Sequence, residues 1–180
     1  MFILILIVGY IGWQKRSLSY GYSVLKEAGD FYLLDQDNQR KSLKDFREKK
    51  IFLFFGYIQC KTSCPPSIGV FTSLSKKITD KDLNFIFISL DSENDQKNAS
   101  QFAKHFDERF FLLTGEKKEI QNAALGYEVF QEKDQELGEL NHTGHIFLLD
   151  QSSRLRRIYP SNFRDINRII KDYSQLELEK

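Results

Sequence analysis

The two cysteines of the chain, Cys60 and Cys64, lie in one short segment with three residues between them. Two thiols at this spacing indicate a redox-active dithiol, a metal-binding pair or a coincidence of composition. Thiolate is the reactive species in both functional cases, so the surroundings of the pair determine its chemistry. Because the chain contains no other cysteine, a disulfide-stapled scaffold is excluded.

The cysteine pair lies between a predicted strand and a predicted helix. The continuous apolar run over 51–56 is typical of a strand buried on both faces, and Pro65 and Pro66 suit the first turn of a helix. A helix N-terminus carries unpaired N–H groups and partial positive charge, which lower the pKa of a nearby thiol. The position therefore favours reactive cysteines.

His142 completes a candidate three-coordinate metal site. It comes just ahead of an apolar run over 146–150 that predicts a strand. Soft thiolates favour Cu(I), and imidazole accepts copper in either oxidation state. Zinc would require a fourth ligand. We therefore expect Cys60, Cys64 and His142 to bind copper, as Cu(I), Cu(II) or both.

The remaining candidate ligands are expected to have structural roles. His105 falls late in a predicted helix, where an exposed position is the simplest interpretation. His145 follows His142 by three residues, so in an extended segment the two rings would project to opposite faces. The acids Asp91, Glu93 and Asp95 follow a strand and precede a helix, where turn and cap roles are more common than a hard-cation site.

The order of elements predicts an α/β domain of thioredoxin-like fold, with a central mixed sheet flanked by helices, an N-terminal hairpin and a late hairpin. Thioredoxin-like oxidoreductases place a proline opposite their cysteines, whereas here no proline lies between Pro66 and Pro160. The predicted elements are a hairpin over 31–43, strands over 51–56, 83–90 and 110–113, helices from Pro65 to Ile78, over 98–106 and 117–130, a hairpin of 146–150 with 154–159, and an amphipathic helix over 163–173.

The N-terminal segment has a different character. An apolar run over 2–13, followed by Lys15 and Arg16, is shorter than the roughly 20 residues of a membrane-spanning helix and lacks the basic start of a signal peptide. We expect residues 1–18 to be a membrane anchor or signal-like segment and residues 19–180 to form the copper-binding domain. The alternative is that the apolar run is a buried first element of the domain.

The charge balance excludes one large class of function. The 26 basic residues against 25 acidic residues give a net charge of +1, without the basic excess of a nucleic-acid-binding protein. With 41% hydrophobic and 28% charged residues, the composition is that of an ordinary globular protein. No nucleic-acid partner is therefore expected.

The segment around the cysteines resembles the signature F-G-Y-T-x-C-P-D-x-C-P of the Sco/SenC family of copper-delivery proteins, and here it is FGYIQCKTSCP over 55–65. Three further segments are similar to family motifs. The segment ISLDSEND over 88–95 is similar to the family's I-S-x-D-P-E-R-D, and LTG over 113–115 is similar to its L-T-G. His142 and Thr143, which precede FLLD over 147–150, are similar to the family's D-H-S, which precedes Y-L-x-D. The similarity covers 29–159, nearly all of the predicted domain.

The resemblance implies that Cys60, Cys64 and His142 are copper ligands of a membrane-anchored protein. Its domain would lie outside the cytoplasm, on the periplasmic side of a bacterial inner membrane. It would deliver copper to the dinuclear site of cytochrome c oxidase, with an oxidase subunit as acceptor and a thiol reductant protein as a further partner. Such a protein is a carrier rather than an enzyme.

The chain departs from the family pattern around the predicted ligands. Lys61 and Thr62 replace the family's Pro-Asp, Asn141 replaces the Asp before the histidine, and Thr143 replaces the Ser after it. The resulting loss of negative charge favours thiolates and opposes binding of a copper cation. Two other functions stay open: a thiol–disulfide oxidoreductase that uses Cys60 and Cys64 alone, and a copper or redox sensor that signals through a partner.

Overall fold

The computed structural model of the chain describes residues 19–58, 64–133 and 140–176. The strands are β1 (Tyr22–Glu27), β2 (Tyr32–Leu34), β3 (Arg40–Ser42), β4 (Lys50–Gly56), β5 (Leu83–Ser89), β6 (Phe110–Leu113), β7 (Gln131–Lys133), β8 (Leu140–His142), β9 (Ile146–Leu149) and β10 (Arg154–Tyr159). The helices are α1 (Cys64–Lys77), α2 (Ser92–Asp95), α3 (Ala99–Ala103), α4 (Lys117–Gly126) and α5 (Ile166–Gln175), with 3-10 turns at Leu43–Phe46 and Gln96–Asn98.

A six-stranded mixed sheet in the order β1-β10-β9-β4-β5-β6 forms the centre of the fold. Strands β4, β5 and β6 run parallel to one another, whereas β9 is antiparallel to β4, and β10 is antiparallel to both β9 and β1. Every residue of β4 and β5 is buried, which explains why their sequences are mostly apolar rather than alternating between apolar and polar residues. The predicted central mixed sheet is confirmed.

Alternate residues of β4 face two separate cores. Phe52 and Phe54 pack in the core that includes α1 and α5, and Ile51, Leu53 and Phe55 pack in the core that includes α4 and the β2–β3 hairpin. A fully buried phenylalanine contributes roughly 1.5–3 kcal/mol to folding. The two cores therefore fix the position of β4, and with it the point where the chain leaves the sheet toward Cys60.

The helices predicted over 98–106 and 117–130 are both shorter than expected. The helix predicted over 98–106 becomes α3, because the N–H groups of His105 and Phe106 bond to carbonyls three residues back and tighten the chain into turns. The helix predicted over 117–130 ends at Gly126, because Glu128 takes a left-handed conformation with a φ of 57°, and its N–H bonds to the Leu125 carbonyl three residues back.

Three strands were not predicted from the sequence pattern. Strand β1 is an edge strand with most of its side chains partly or fully exposed, so it lacks a clear apolar alternation. Strands β7 and β8 form a separate antiparallel hairpin in which Gln131 pairs with His142. His142 is the last residue of β8.

Gly29 and Gly126 bring two backbones into close contact. A Cβ atom added to Gly29 would lie 2.7 Å from the Gly126 Cα, and one added to Gly126 would lie 3.0 Å from the Gly29 Cα. Because backbone atoms cannot rotate away, we expect Gly29→Ala to destabilise the fold by roughly 1–3 kcal/mol. Chemical denaturation of the purified protein measures this change.

Gly69 provides the matched control. It lies inside α1, and an added Cβ would meet no other atom within 4 Å. Gly69→Ala should therefore stabilise the protein by about 0.5–1 kcal/mol, because alanine restricts the unfolded chain and favours helix. Equal unfolding midpoints for Gly29→Ala and Gly69→Ala would contradict the close approach of the two backbones.

Candidate metal centre

The elements that carry the two cysteines meet at the C-terminal end of β4. The described chain leaves this strand through Tyr57 and Ile58, two residues before Cys60, and resumes as α1, which begins at Cys64. The predicted strand and helix on either side of the pair are confirmed. Cys60 itself and the side chain of Cys64 lie outside the described residues, so their role as ligands stays a prediction.

His142 packs against the end of β4. Its ring centroid lies 6.1 Å from that of Phe54 and 6.3 Å from that of Tyr57, and both contacts are edge-on, with interplanar angles of 65° and 63°. Phe54 also pairs with Ile146 across the β4–β9 ladder, so the residues that follow His142 return to the same end of the sheet. The structure thus places the predicted histidine ligand beside the segment that leads to Cys60.

A buried hydrogen bond joins the helix of the second cysteine to the histidine segment. The Ser67 hydroxyl, one turn after Cys64 in α1, donates to the Gly144 carbonyl at 2.8 Å. Gly144 has a φ of 60°, a left-handed conformation that glycine adopts without strain. Through this contact, the start of α1 and the turn after His142 hold each other in place.

The Nδ1 atom of His142 accepts a hydrogen bond from the Gly144 N–H at 3.1 Å. In a neutral imidazole with Nδ1 as acceptor, the proton resides on Nε2. A metal ion at Nδ1 would displace the Gly144 N–H directly. A metal ion at Nε2 would move the ring proton to Nδ1, which would also break this bond. Metal binding through either nitrogen therefore exchanges the Gly144 hydrogen bond for a metal bond.

Burial keeps His142 in the form that can bind a metal. Desolvation and, to a smaller extent, charge repulsion from the neighbouring His145 together lower the pKa of His142 to about 4. Burial also lowers the pKa of His145, whose ring packs 6.2 Å from that of Phe147. Near neutral pH, His142 is thus uncharged, which is the form of the imidazole that binds a metal ion.

This pKa predicts a pH dependence of stability in the metal-free protein. The pKa of folded His142 lies below the unfolded value of about 6.5, so the folded state binds fewer protons. Its contribution, on the order of 3 kcal/mol, is complete above pH 6.5 and is lost as pH falls toward 4. NMR titration of the imidazole should show His142 neutral at pH 5.5, and unfolding of His142→Ala should depend less on pH. An imidazole that titrates near pH 6.5 would contradict the expected burial.

Asp95 has a position that the sequence analysis did not expect. It is only 1% exposed, and its Oδ2 atom accepts hydrogen bonds from the Ile58 N–H at 2.9 Å and from the Ser89 hydroxyl at 2.7 Å. Asp91 lies at the N-cap position of α2 and Asp95 at that of the 3-10 turn Gln96–Asn98, although neither side chain makes a cap hydrogen bond. The burial of Asp95 and its bonds to Ile58 and Ser89 were not predicted. The one signal in the sequence was that Asp95 ends the segment similar to I-S-x-D-P-E-R-D.

The other predicted residues lie outside this cluster. His105 is exposed, and its Nδ1 atom lies 3.2 Å from the Phe102 carbonyl. Within residues 19–58, 64–133 and 140–176, no three His, Cys, Asp or Glu side chains are close enough to share a metal ion.

Over the same ranges, no helix has the length and apolar character needed to cross a membrane. The predicted anchor over 1–18 is outside the described residues.

Comparison with known proteins identifies relatives of the whole folded region. The sequence profile of the SCO1/SenC family matches residues 22–176. The mitochondrial SCO2 homolog of Danio rerio is 34% identical over 123 residues, which cover 65% of this chain and 44% of that protein. The chain spans about half or less of the length of such curated relatives.

Solved structures extend this similarity to the fold. ScoI of Bradyrhizobium japonicum, determined with copper bound, is 27% identical with a TM-score of 0.66 over 82% of this chain and 98% of that one. BsSco, described as a Sco-family cytochrome c oxidase assembly protein with a disulfide switch, is 25% identical with a TM-score of 0.73 over 89% of this chain and 98% of that one. The predicted thioredoxin-like fold is confirmed.

Proposed function

Because the chain belongs to the SCO1/SenC family, we propose that it binds one copper ion through Cys60, Cys64 and His142 and delivers it to the dinuclear copper site of cytochrome c oxidase. Relatives with this fold include a protein solved with copper bound and a cytochrome c oxidase assembly protein. Copper is the cargo in this proposal, so the protein is a metallochaperone and turns over no substrate.

One observation carries the assignment of the ligands. His142 packs on Tyr57, three residues before Cys60, while the Ser67–Gly144 hydrogen bond ties the following turn to the helix that begins at Cys64. The described chain on both sides of the cysteine pair therefore converges on the histidine. Two thiolates and a neutral imidazole form a soft ligand set that suits copper.

The chemistry of this ligand set explains both capture and release. Each thiol loses its proton when it binds copper, so the start of α1 assists loading by stabilising thiolates. A three-coordinate ion leaves room for an incoming ligand from an acceptor protein. Copper can then pass by stepwise ligand exchange, in which each new bond to the acceptor replaces one bond to the chaperone. A copper-binding subunit of the oxidase is the acceptor that this proposal names.

The proposal extends to location and partners. Residues 1–18 would hold the protein at a bacterial inner membrane, with the domain of residues 19–180 on the periplasmic side. In that oxidising compartment the cysteine pair would form a disulfide, so a thiol reductant protein is needed to restore the copper-binding form. The neutral Thr62 and Asn141, where the family has acids, and the basic Lys61, where it has Pro, would weaken attraction of a free copper cation and favour transfer between proteins.

Anaerobic copper titration of the reduced protein tests the proposal. With a competing chelator present, we expect the protein to retain one equivalent of copper, measured by metal analysis after desalting. Absorption from thiolate-to-copper charge transfer should accompany loading with Cu(II). A reduced protein that gives up all its copper to a weak chelator would contradict a chaperone function.

A thiol–disulfide oxidoreductase is the second candidate. The observation that favours it is the placement of the cysteine pair between the end of β4 and the start of α1 in a thioredoxin-like fold. This function needs Cys60 and Cys64 but not His142. Failure to bind copper, together with efficient reduction of a disulfide substrate, would support this alternative.

A further inference from the structure

Asp95 is a buried carboxylate that the proposed copper chemistry does not use. It ends α2, which follows β5, and β5 is the parallel neighbour of β4. Because parallel strands end at the same edge of a sheet, α2 lies beside the point where the chain leaves β4. Burial raises the pKa of Asp95, since the charged form loses its hydration. A carboxylate in so unfavourable a place needs a structural or functional explanation.

The contacts of Asp95 hold the segment that leaves β4. Its Oδ2 atom accepts both the Ile58 N–H and the Ser89 hydroxyl. A second bond runs from the Leu90 N–H to the Gly56 carbonyl at 2.7 Å. Leu90 and Asp95 thus bond to the chain on both sides of Tyr57, at Gly56 and Ile58, and the ring of Tyr57 packs on His142.

We propose that Asp95 is a positioning residue of the copper site: by holding Ile58, it fixes Tyr57 against His142 at the point from which the chain leads to Cys60. The inference rests on the proposed copper-binding function. Asp95 touches neither His142 nor copper in this scheme, and it acts through the backbone of Ile58. Loss of its side chain should therefore disturb ligand geometry before it disturbs the fold.

The hydrogen-bond pattern defines an informative pair of variants. Both donors reach the same oxygen, so the amide oxygen of Asp95→Asn can accept both bonds without a negative charge. Asp95→Ala removes the acceptor and leaves the Ile58 N–H without it. If Asp95→Ala fails to fold, Asp95→Ser, which keeps a small polar group that is too short to reach Ile58, replaces it.

Asp172 offers a matched control at another place in the fold. It is also 1% exposed and accepts two backbone N–H groups, from Tyr20 at 2.9 Å and from Gly21 at 2.7 Å. Asp172→Ala therefore removes a buried carboxylate with two hydrogen bonds but leaves Ile58 and Tyr57 untouched. A purely structural role for Asp95 predicts similar behaviour for both alanine variants.

The test measures three quantities for each variant. These are the copper affinity of the reduced full chain by chelator competition, the free energy of unfolding, and the contact between the Tyr57 and His142 rings by NMR. We expect Asp95→Ala to bind copper about 10–100-fold more weakly and to lose the ring contact. Asp95→Asn should stay within a few-fold of the unchanged protein, and Asp172→Ala should keep both copper affinity and the ring contact.

Two results would overturn the inference, and they differ from failure of the proposed function. Unchanged copper affinity in Asp95→Ala would show that Ile58 does not need this acceptor. Equal losses in Asp95→Ala and Asp172→Ala would indicate general destabilisation. If the unchanged protein binds no copper, the proposed function fails, and the Tyr57–His142 contact in the metal-free variants still decides whether Asp95 positions this segment.

Discussion

Replacing His142 with alanine is expected to lower the copper affinity of the reduced protein by at least about 100-fold. Loss of a supporting contact around a metal site typically weakens binding 10–100-fold, and loss of a ligand removes a bond to the metal itself. The remaining Cys60 and Cys64 thiolates would form a two-coordinate site that a competing chelator empties more readily. Chelator competition monitored by metal analysis measures this change.

His145→Ala is the control for this prediction. His145 is three residues from His142 and is also partly buried, but its described ring contact is with Phe147 on β9. We expect this variant to retain copper as the unchanged protein does. His142→Gln serves as a second variant, because it keeps more of the buried volume beside Phe54 and Tyr57 than alanine does. Equal copper affinities for His142→Ala, His142→Gln and His145→Ala would contradict the assignment of His142.

The same variant separates the two candidate functions. A thiol–disulfide oxidoreductase needs only the two sulfurs, so His142→Ala should retain most of its exchange with a model disulfide. A copper carrier should lose delivery to an acceptor. If His142→Ala loses disulfide exchange and copper binding to the same extent, His142 acts by supporting the cysteine segment through its contacts with Phe54 and Tyr57.

The sequence revealed the parts of the site that depend on local patterns. Strand β4 was predictable because burial on both faces requires a continuous apolar run. The start of α1 was predictable because Pro65 and Pro66 are tolerated only in the first turn of a helix. Since both patterns flank the cysteines, their position between strand and helix followed directly.

The parts that were missed depend on contacts between distant residues. Strand β8 exists because it pairs with β7, and its residues have no apolar alternation that would indicate a strand. The burial of Asp95 depends on the Ile58 N–H, 37 positions away along the chain. An acid after a strand has the same local pattern whether it caps a helix in solvent or bonds to a neighbouring loop, so sequence alone could not distinguish these cases.

Oxidation of the cysteine pair is expected to abolish copper retention. Formation of a Cys60–Cys64 disulfide removes two electrons and two protons from the two thiols and creates one S–S bond. A disulfide sulfur carries no negative charge for the metal, which leaves His142 as the one predicted ligand still able to bind. We therefore expect the oxidised protein to retain no copper under competition. Reduction by a dithiol, through a mixed disulfide, should restore one equivalent.

The cysteine content of the chain makes the result of this test straightforward to interpret. Because Cys60 and Cys64 are the two cysteines of the chain, an intramolecular redox effect on copper binding can arise only from this pair. The Cys60→Ser/Cys64→Ser double variant should bind copper weakly under both reducing and oxidising conditions. Mass spectrometry should confirm that the oxidised form of the unchanged protein is a monomer lighter by two hydrogens. Retention of a full equivalent by that oxidised monomer would show that copper binds elsewhere. Loss on oxidation and recovery on reduction would show that the thiol state controls loading, so that a reductant must act before copper does.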